Sequence, residues 1–136
     1  MIKHSPQRNA SEARLRLRAI LAEIEKLVPT IVDRAPMFAA CVYSSPRRCG
    51  NPGCHCAAGE LHPAWVMSYK EGDRVVNRSV PAEERETLLA RAEEYRRFRR
   101  ACRQWRKLSK EADGLFSVLL EARVVRRESP GASEAR

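Results

Sequence analysis

The side chains best suited to chemistry lie in one stretch, Arg47-Arg48-Cys49-Gly50-Asn51-Pro52-Gly53-Cys54-His55-Cys56-Ala57-Ala58-Gly59-Glu60-Leu61-His62-Pro63. Three of the chain's five cysteines fall here, and a histidine follows them. Thiolate and imidazole are the donors that zinc prefers, four in a tetrahedron at about 2.0–2.3 Å. Gly50, Pro52 and Gly53 bend the backbone sharply and let amides approach the sulfurs. The order C-x4-C-x-C-x5-H can therefore converge on one ion. We expect one structural zinc per chain, with Cys49, Cys54, Cys56 and His62 as ligands. Arg47 and Arg48 would offset the charge of three thiolates. The spacing is not the paired C-x2-C of common zinc folds. Reduced, non-ligating cysteines, or a redox pair of Cys54 and Cys56, stand as alternatives.

The fourth ligand is the open choice. His62 has the best reach along the chain, and Cys41 is the rival. His55 sits between two ligands, where its ring would tend to point away. Cys102 reads as core, and His4 has no role. Glu60 is the sole carboxylate beside the cluster. There is no nucleophile elbow, phosphate-cradling loop or HExxH. The expectation is a protein that is not an enzyme.

The elements that carry this turn follow from spacing. Residues 1–10 are polar and read as a flexible start. Leu17, Ile20, Leu21, Ile24, Leu27, Val28 and Ile31 recur at helical intervals, which predicts a helix over 11–32. A β unit with the cysteine turn is expected over 37–80. Met37 to Tyr43 is one strand, and two runs flank the turn signal Glu71-Gly72-Asp73 as a hairpin. Pro81 suits a helix start, and Glu83, Glu84 and Glu86 suit its positive end. That helix is expected over 81–127. Phe98, Cys102, Trp105, Ser109, Ala112, Phe116 and Leu119 form a heptad-like seam along it. The tail 128–136 reads as disordered. The fold class expected is mainly α with a small β unit (α+β). An antiparallel helical hairpin or coiled coil would carry a short β-hairpin with a zinc-ribbon-like turn, all in one domain over 11–127.

The chain of 136 residues has a formal net charge of +9. A balance of this size attracts polyanions. The charge is concentrated in Arg96, Arg99, Arg100, Arg103, Arg106, Lys107 and Lys110. At about 100° per residue, these seven fall within an arc of roughly 120°. Like charges at i,i+3 and i,i+4 repel, so an isolated helix gains nothing from the arrangement. Nucleic acid, DNA ahead of RNA, is the expected partner. A protein partner or a homodimer through the long helix is the alternative, because Glu83, Glu84, Glu86, Glu93 and Glu94 could face the basic block of another copy. No stretch approaches the roughly 20 apolar residues that span a membrane. The first residues lack an apolar signal core. A cytoplasmic protein with reduced thiols is expected.

The run Arg48-Cys49-Gly50, Pro52, Cys54, Cys56-Ala57, Gly59, His62 resembles a family of small prokaryotic proteins of unknown function, DUF6788. So do the aromatic strand after it, the Gly72 turn, Val80-Pro81 and Glu94-Tyr95-Arg96-Arg97. The resemblance covers about residues 37–108. It implies a setting near transposases and other mobile elements, and carries no activity. Family members follow the histidine with Gly-Pro, whereas this chain has Pro63-Ala64. The expected function is a nucleic-acid-binding accessory protein with a structural zinc turn, linked to recombination or a mobile element. The alternative is a protein–protein adaptor.

Overall fold

The computed structural model describes residues 6–125. It has two helices and a three-stranded antiparallel sheet, with the cysteine turn between the first two strands. Helix α1 is Pro6–Ile31, strand β1 Ala40–Ser44, β2 Trp65–Glu71, β3 Arg74–Ser79, and helix α2 Arg85–Arg123. The order of strands is β1-β2-β3. This is the expected α+β class. Chain contacts divide it into two compact units, where the sequence predicts one domain. One unit joins the residues up to Val28 with those from Arg103 onward, and the other is Pro29–Cys102.

Helix α1 begins earlier than its spacing predicts. Pro6 opens it, as proline can where an amide would be unpaired anyway, and Ala10 is already buried. Residues 6–10 are therefore helix rather than a flexible start. Residues 1–5 and the predicted tail 128–136 lie outside the described residues. Pro29 stands inside the last turn of α1 without ending it. Helix α2 starts at Arg85 rather than 81. Residues 82–84 form a turn in which the Glu84 amide donates to the Pro81 carbonyl at 3.1 Å. The helix ends at Arg123.

In the first unit, Ile20, Leu108 and Ala112 form a buried cluster, with Leu17, Ile24, Leu27 and Leu115 packed against it. The buried stripe of α2 here is Leu108, Ala112 and Leu115, set about one residue away from much of the predicted seam. Trp105 is 39% exposed and Phe116 52%. Ser109 is only half-buried. Arg16 also crosses from α1 to Glu111 with a forked pair of bonds, Nε to Oε1 at 2.6 Å and Nη2 to Oε2 at 2.8 Å. The hydrogen bond and charge of Arg16 hold the Glu111 carboxyl below the usual glutamate range. A group with a depressed folded pKa stabilises above its unfolded value, near 4.3, and that contribution is lost as pH falls through the folded value. Both side chains are exposed, so the effect is small. Glu111→Gln is expected to melt slightly below the native protein at pH 7 and to come closer to it near pH 3. Melting curves at the two pH values check this.

In the second unit, Val42, Val80 and Ala92 form the core, joined by Trp65, Met67, Leu88 and Leu89. The start of α2 thus covers one face of the sheet. Strands β2 and β3 are joined at Gly72-Asp73, with Glu71 opposite Arg74. Gly72 takes φ +63°, a left-handed conformation that glycine adopts without a Cβ penalty.

Candidate metal centre

The cysteine turn is closed at its base by the β1–β2 ladder. Pairing runs from Ala40 opposite Tyr69 to Ser44 opposite Trp65. The Ser45 amide then donates to the Ala64 carbonyl at 2.8 Å. Arg47 and His62 exchange both backbone bonds, at 3.0 and 2.9 Å, in the same register. Pro46 and Pro63 would stand opposite each other between these pairs. In an antiparallel ladder that position is a non-hydrogen-bonded pair, so two residues without N–H groups interrupt nothing. The ladder thereby delivers His62 beside Arg47, two residues from Cys49.

Inside the loop, Gly50 takes φ +78°. The Asn51 side chain accepts from the Gly53 amide at 2.9 Å, and its carbonyl accepts from the Cys54 amide at 3.1 Å. These bonds make the tight turn that separates Cys49 from Cys54. A single 3-10 turn, His55–Ala57, follows and brings Cys56 back toward Cys49. Gly59 closes on it: a Cβ there would lie 3.1 Å from the His55 carbonyl oxygen.

The result is a cluster of Cys49, Cys54, Cys56 and His62 whose ligand atoms all lie within 4.8 Å of one another. Cys49 Sγ is 3.5 Å from Cys56 Sγ, and Cys54 Sγ is 3.1 Å from His62 Nε2. Donors at tetrahedral corners about 2.0–2.3 Å from an ion would be separated by roughly 3.3–3.8 Å, so these four could hold a metal ion. Cys56 is 1% exposed, Cys54 and His62 are half-buried, and Cys49 faces solvent.

The electrostatics favour loading. The Asn51 amide, then the Cys56, His62 and Cys54 side chains, lower the Cys49 thiol to about 6. The Cys56 amide and the His62 ring lower Cys54 as well. Cys56 goes up: the Cys49 amide pulls it down, but burial and the two neighbouring sulfurs outweigh that pull. His62 is raised by Cys54 first and Cys49 second. Three sulfurs close together cannot all ionise without a compensating cation, which is the condition a metal meets. The Cys49 amide also donates to Cys56 Sγ at 3.4 Å, an outer bond suited to a thiolate.

Other predicted residues fall elsewhere. Cys41 lies on β1 opposite Ser68 and outside the cluster. Its neighbours Ala40 and Val42 are buried, and strand alternation turns Cys41 outward. His55 is not one of the four; its Nδ1 lies 3.7 Å from Cys54 Sγ and its ring packs edge-on to His62 at 5.1 Å. Cys102 is half-buried on α2. The seven basic residues Arg96, Arg99, Arg100, Arg103, Arg106, Lys107 and Lys110 are all exposed. Glu93 pairs with Arg96 at 3.3 Å and Arg100 at 3.0 Å, which relieves part of the repulsion expected along the helix. Arg97 pairs instead with Asp33 and Glu94. Among the described residues, no helix is long and apolar enough to cross a membrane.

Fold and cluster together define the class: an α+β protein of two helices and a three-stranded antiparallel sheet, carrying a Cys3His cluster able to hold a metal ion. The chain belongs to the family described as a domain of unknown function, DUF6788, whose model matches residues 12–90. The match takes in most of α1, the whole sheet and the cysteine turn. No curated protein and no solved structure matches the chain.

Proposed function

We propose that this is a nucleic-acid-binding accessory protein, cytoplasmic, whose cysteine turn is held by one structural zinc. Zinc suits three thiols and an imidazole better than harder cations do. Four protein donors fill a tetrahedron and leave no open position for a substrate, which favours a structural over a catalytic role. Recombination or transposition machinery is the setting implied by the family resemblance.

The observation that carries the nucleic-acid reading is the basic arc of α2. Its seven cations are exposed. Among the described residues, Arg99, Arg103, Arg106, Lys107 and Lys110 have no acidic partner within ion-pair distance. Helical geometry puts this arc roughly opposite Leu108, Ala112 and Leu115, the stripe that packs inward. Arginine outnumbers lysine there, as bidentate phosphate contact prefers.

Fluorescence titration of a labelled DNA duplex at two salt concentrations tests this. With about five phosphates engaged, log K should fall with log salt at a slope near −4 to −5. Replacing Arg103, Arg106, Lys107 and Lys110 by glutamine should flatten the slope by about 0.9 for each phosphate no longer neutralised. A slope near zero, or one unmoved by the four changes, would overturn the reading. The second reading, a protein–protein adaptor, is favoured by exposed Trp105, Phe116 and Leu120 on α2 and Leu21 on α1. Partner binding that persists at about 0.5 M salt, where charge attraction is largely screened, would favour it.

A further inference from the structure

Within the second unit, a groove of about 290 Å³ opens between the sheet and α2. Ala39 and Ala40 give it small apolar walls. Tyr69 of β2 and Tyr95 of α2 bring two aromatic rings, and Lys70 and Arg96 bring two cations. None of its lining residues is acidic. Each ring also has a guanidinium near it. Arg78 lies 5.9 Å from the Tyr69 centroid, and Arg99 lies 5.9 Å from the Tyr95 centroid. At that distance the cation–π contact is at its outer limit, so the cations can turn to another partner. On the helix, Tyr95 stands at the border of the basic arc, one turn before Arg99.

We propose that this groove seats an unpaired base of a single-stranded nucleic acid, stacked against Tyr69 and Tyr95. Lys70, Arg96 and Arg99 hold the flanking phosphates. The inference rests on the nucleic-acid reading and adds strandedness and place to it. Aromatic rings beside a basic track are how single strands are bound without sequence preference, because every base has a π-face. An acidic peptide would use the cations and leave the rings idle. Glu93 holds Arg96 at 3.3 Å, but that pair is solvent-exposed and gives way to a phosphate at little cost.

The test uses the full chain loaded with zinc and a fluorescein-labelled single strand of about 12 nucleotides. An abasic strand of the same length, a duplex and a polyglutamate peptide serve as comparisons. Tyr69→Ala and Tyr95→Ala are expected to weaken single-strand binding at least about fivefold each. Tyr69→Phe and Tyr95→Phe should retain it, since the ring is kept. The abasic strand should bind the native protein more weakly than the based one, and the alanine variants should lose that difference. This difference depends on stacking and would not follow from a structural role of the tyrosines. Circular dichroism verifies that each variant is folded; should an alanine variant unfold, the abasic comparison on native protein decides. Equal affinity for abasic and based strands, alanine variants that bind like native, or polyglutamate bound as tightly as the strand would overturn the groove. Salt-steep duplex binding would in that case still stand for the basic arc. Conversely, base-dependent single-strand binding without duplex binding would support the groove and confine the nucleic-acid reading to single strands.

Discussion

Cys56→Ser is expected to abolish metal loading and to unfold the turn between Arg47 and His62, while most helical circular dichroism remains. Cys56 is the one cluster ligand that is fully buried, at 1% exposure. Around it the loop has little else to hold it. Its backbone bonds are short-range, from Cys54 to Asn51, Ala57 to Cys54 and Ala58 to His55. Residues 49–61 contribute no other buried side chain. A structural zinc supplies about 10–16 kcal/mol in zinc-finger peptides at neutral pH. The Arg47–His62 bridge closes the loop without metal, so part of that energy is spared here and the loss should be several kcal/mol. Chelation of the native protein should act in the same way, and acidification should weaken loading, because each ligand must shed a proton to bind. Elemental analysis should find one zinc per native chain and none in the variant. Hydrogen exchange should show the amides of Cys54, Ala57 and Ala58 losing protection, with the buried turns of α2 unchanged. A variant that keeps its metal, or a turn that stays protected without metal, would rule out a structural centre.

Leu108→Ala is expected to be the most destabilising single change in the helical unit. Leu108 and Ile20 are its two large, fully buried side chains, at 2% and 0% exposure. The remaining members of that cluster are alanine or half-buried aliphatics. Truncating a buried leucine costs about 2–5 kcal/mol, through the forfeited transfer energy and the cavity left behind. Against a total stability of about 5–15 kcal/mol that is a large share. The cavity cannot be refilled by rearrangement of a deep core, because two helices alone provide only one layer of contact. A fall in Tm of roughly 10 °C is expected, whereas Leu108→Met should cost less than about 1.5 kcal/mol. Thermal melts of the two variants check this. Equal melting of Leu108→Ala and native protein would mean that the α1–α2 packing contributes little.

Much of the fold and site is legible from local chemistry. The β2–β3 hairpin can be read from Glu71-Gly72-Asp73, because a left-handed residue at a two-residue turn calls for glycine. The three sulfur ligands can be read from their spacing on a glycine- and proline-rich stretch. Other features are not legible. Heptad spacing predicts an α2 seam through Cys102, Ser109, Ala112 and Phe116; Ala112 is buried as expected, but Leu108 is buried beside it and Phe116 is exposed. A helix with apolar residues on adjacent faces does not itself say which face meets α1. The same spacing extends the seam back to Tyr95, and the structure places that residue in a groove against β2.

The sequence by itself determined the three sulfur donors of the candidate metal centre, the hairpin and the charge of α2, because each depends on residues close along the chain. The choice of His62 over Cys41 as fourth ligand was left to the tertiary structure. Strand pairing made that choice: the β1–β2 register sets His62 at the mouth of the loop, and the alternation of side chains across β1 turns Cys41 outward. The groove between Tyr69 and Tyr95 was decided at the same level, since its two walls are 26 residues apart in the chain and meet only when α2 packs on the sheet.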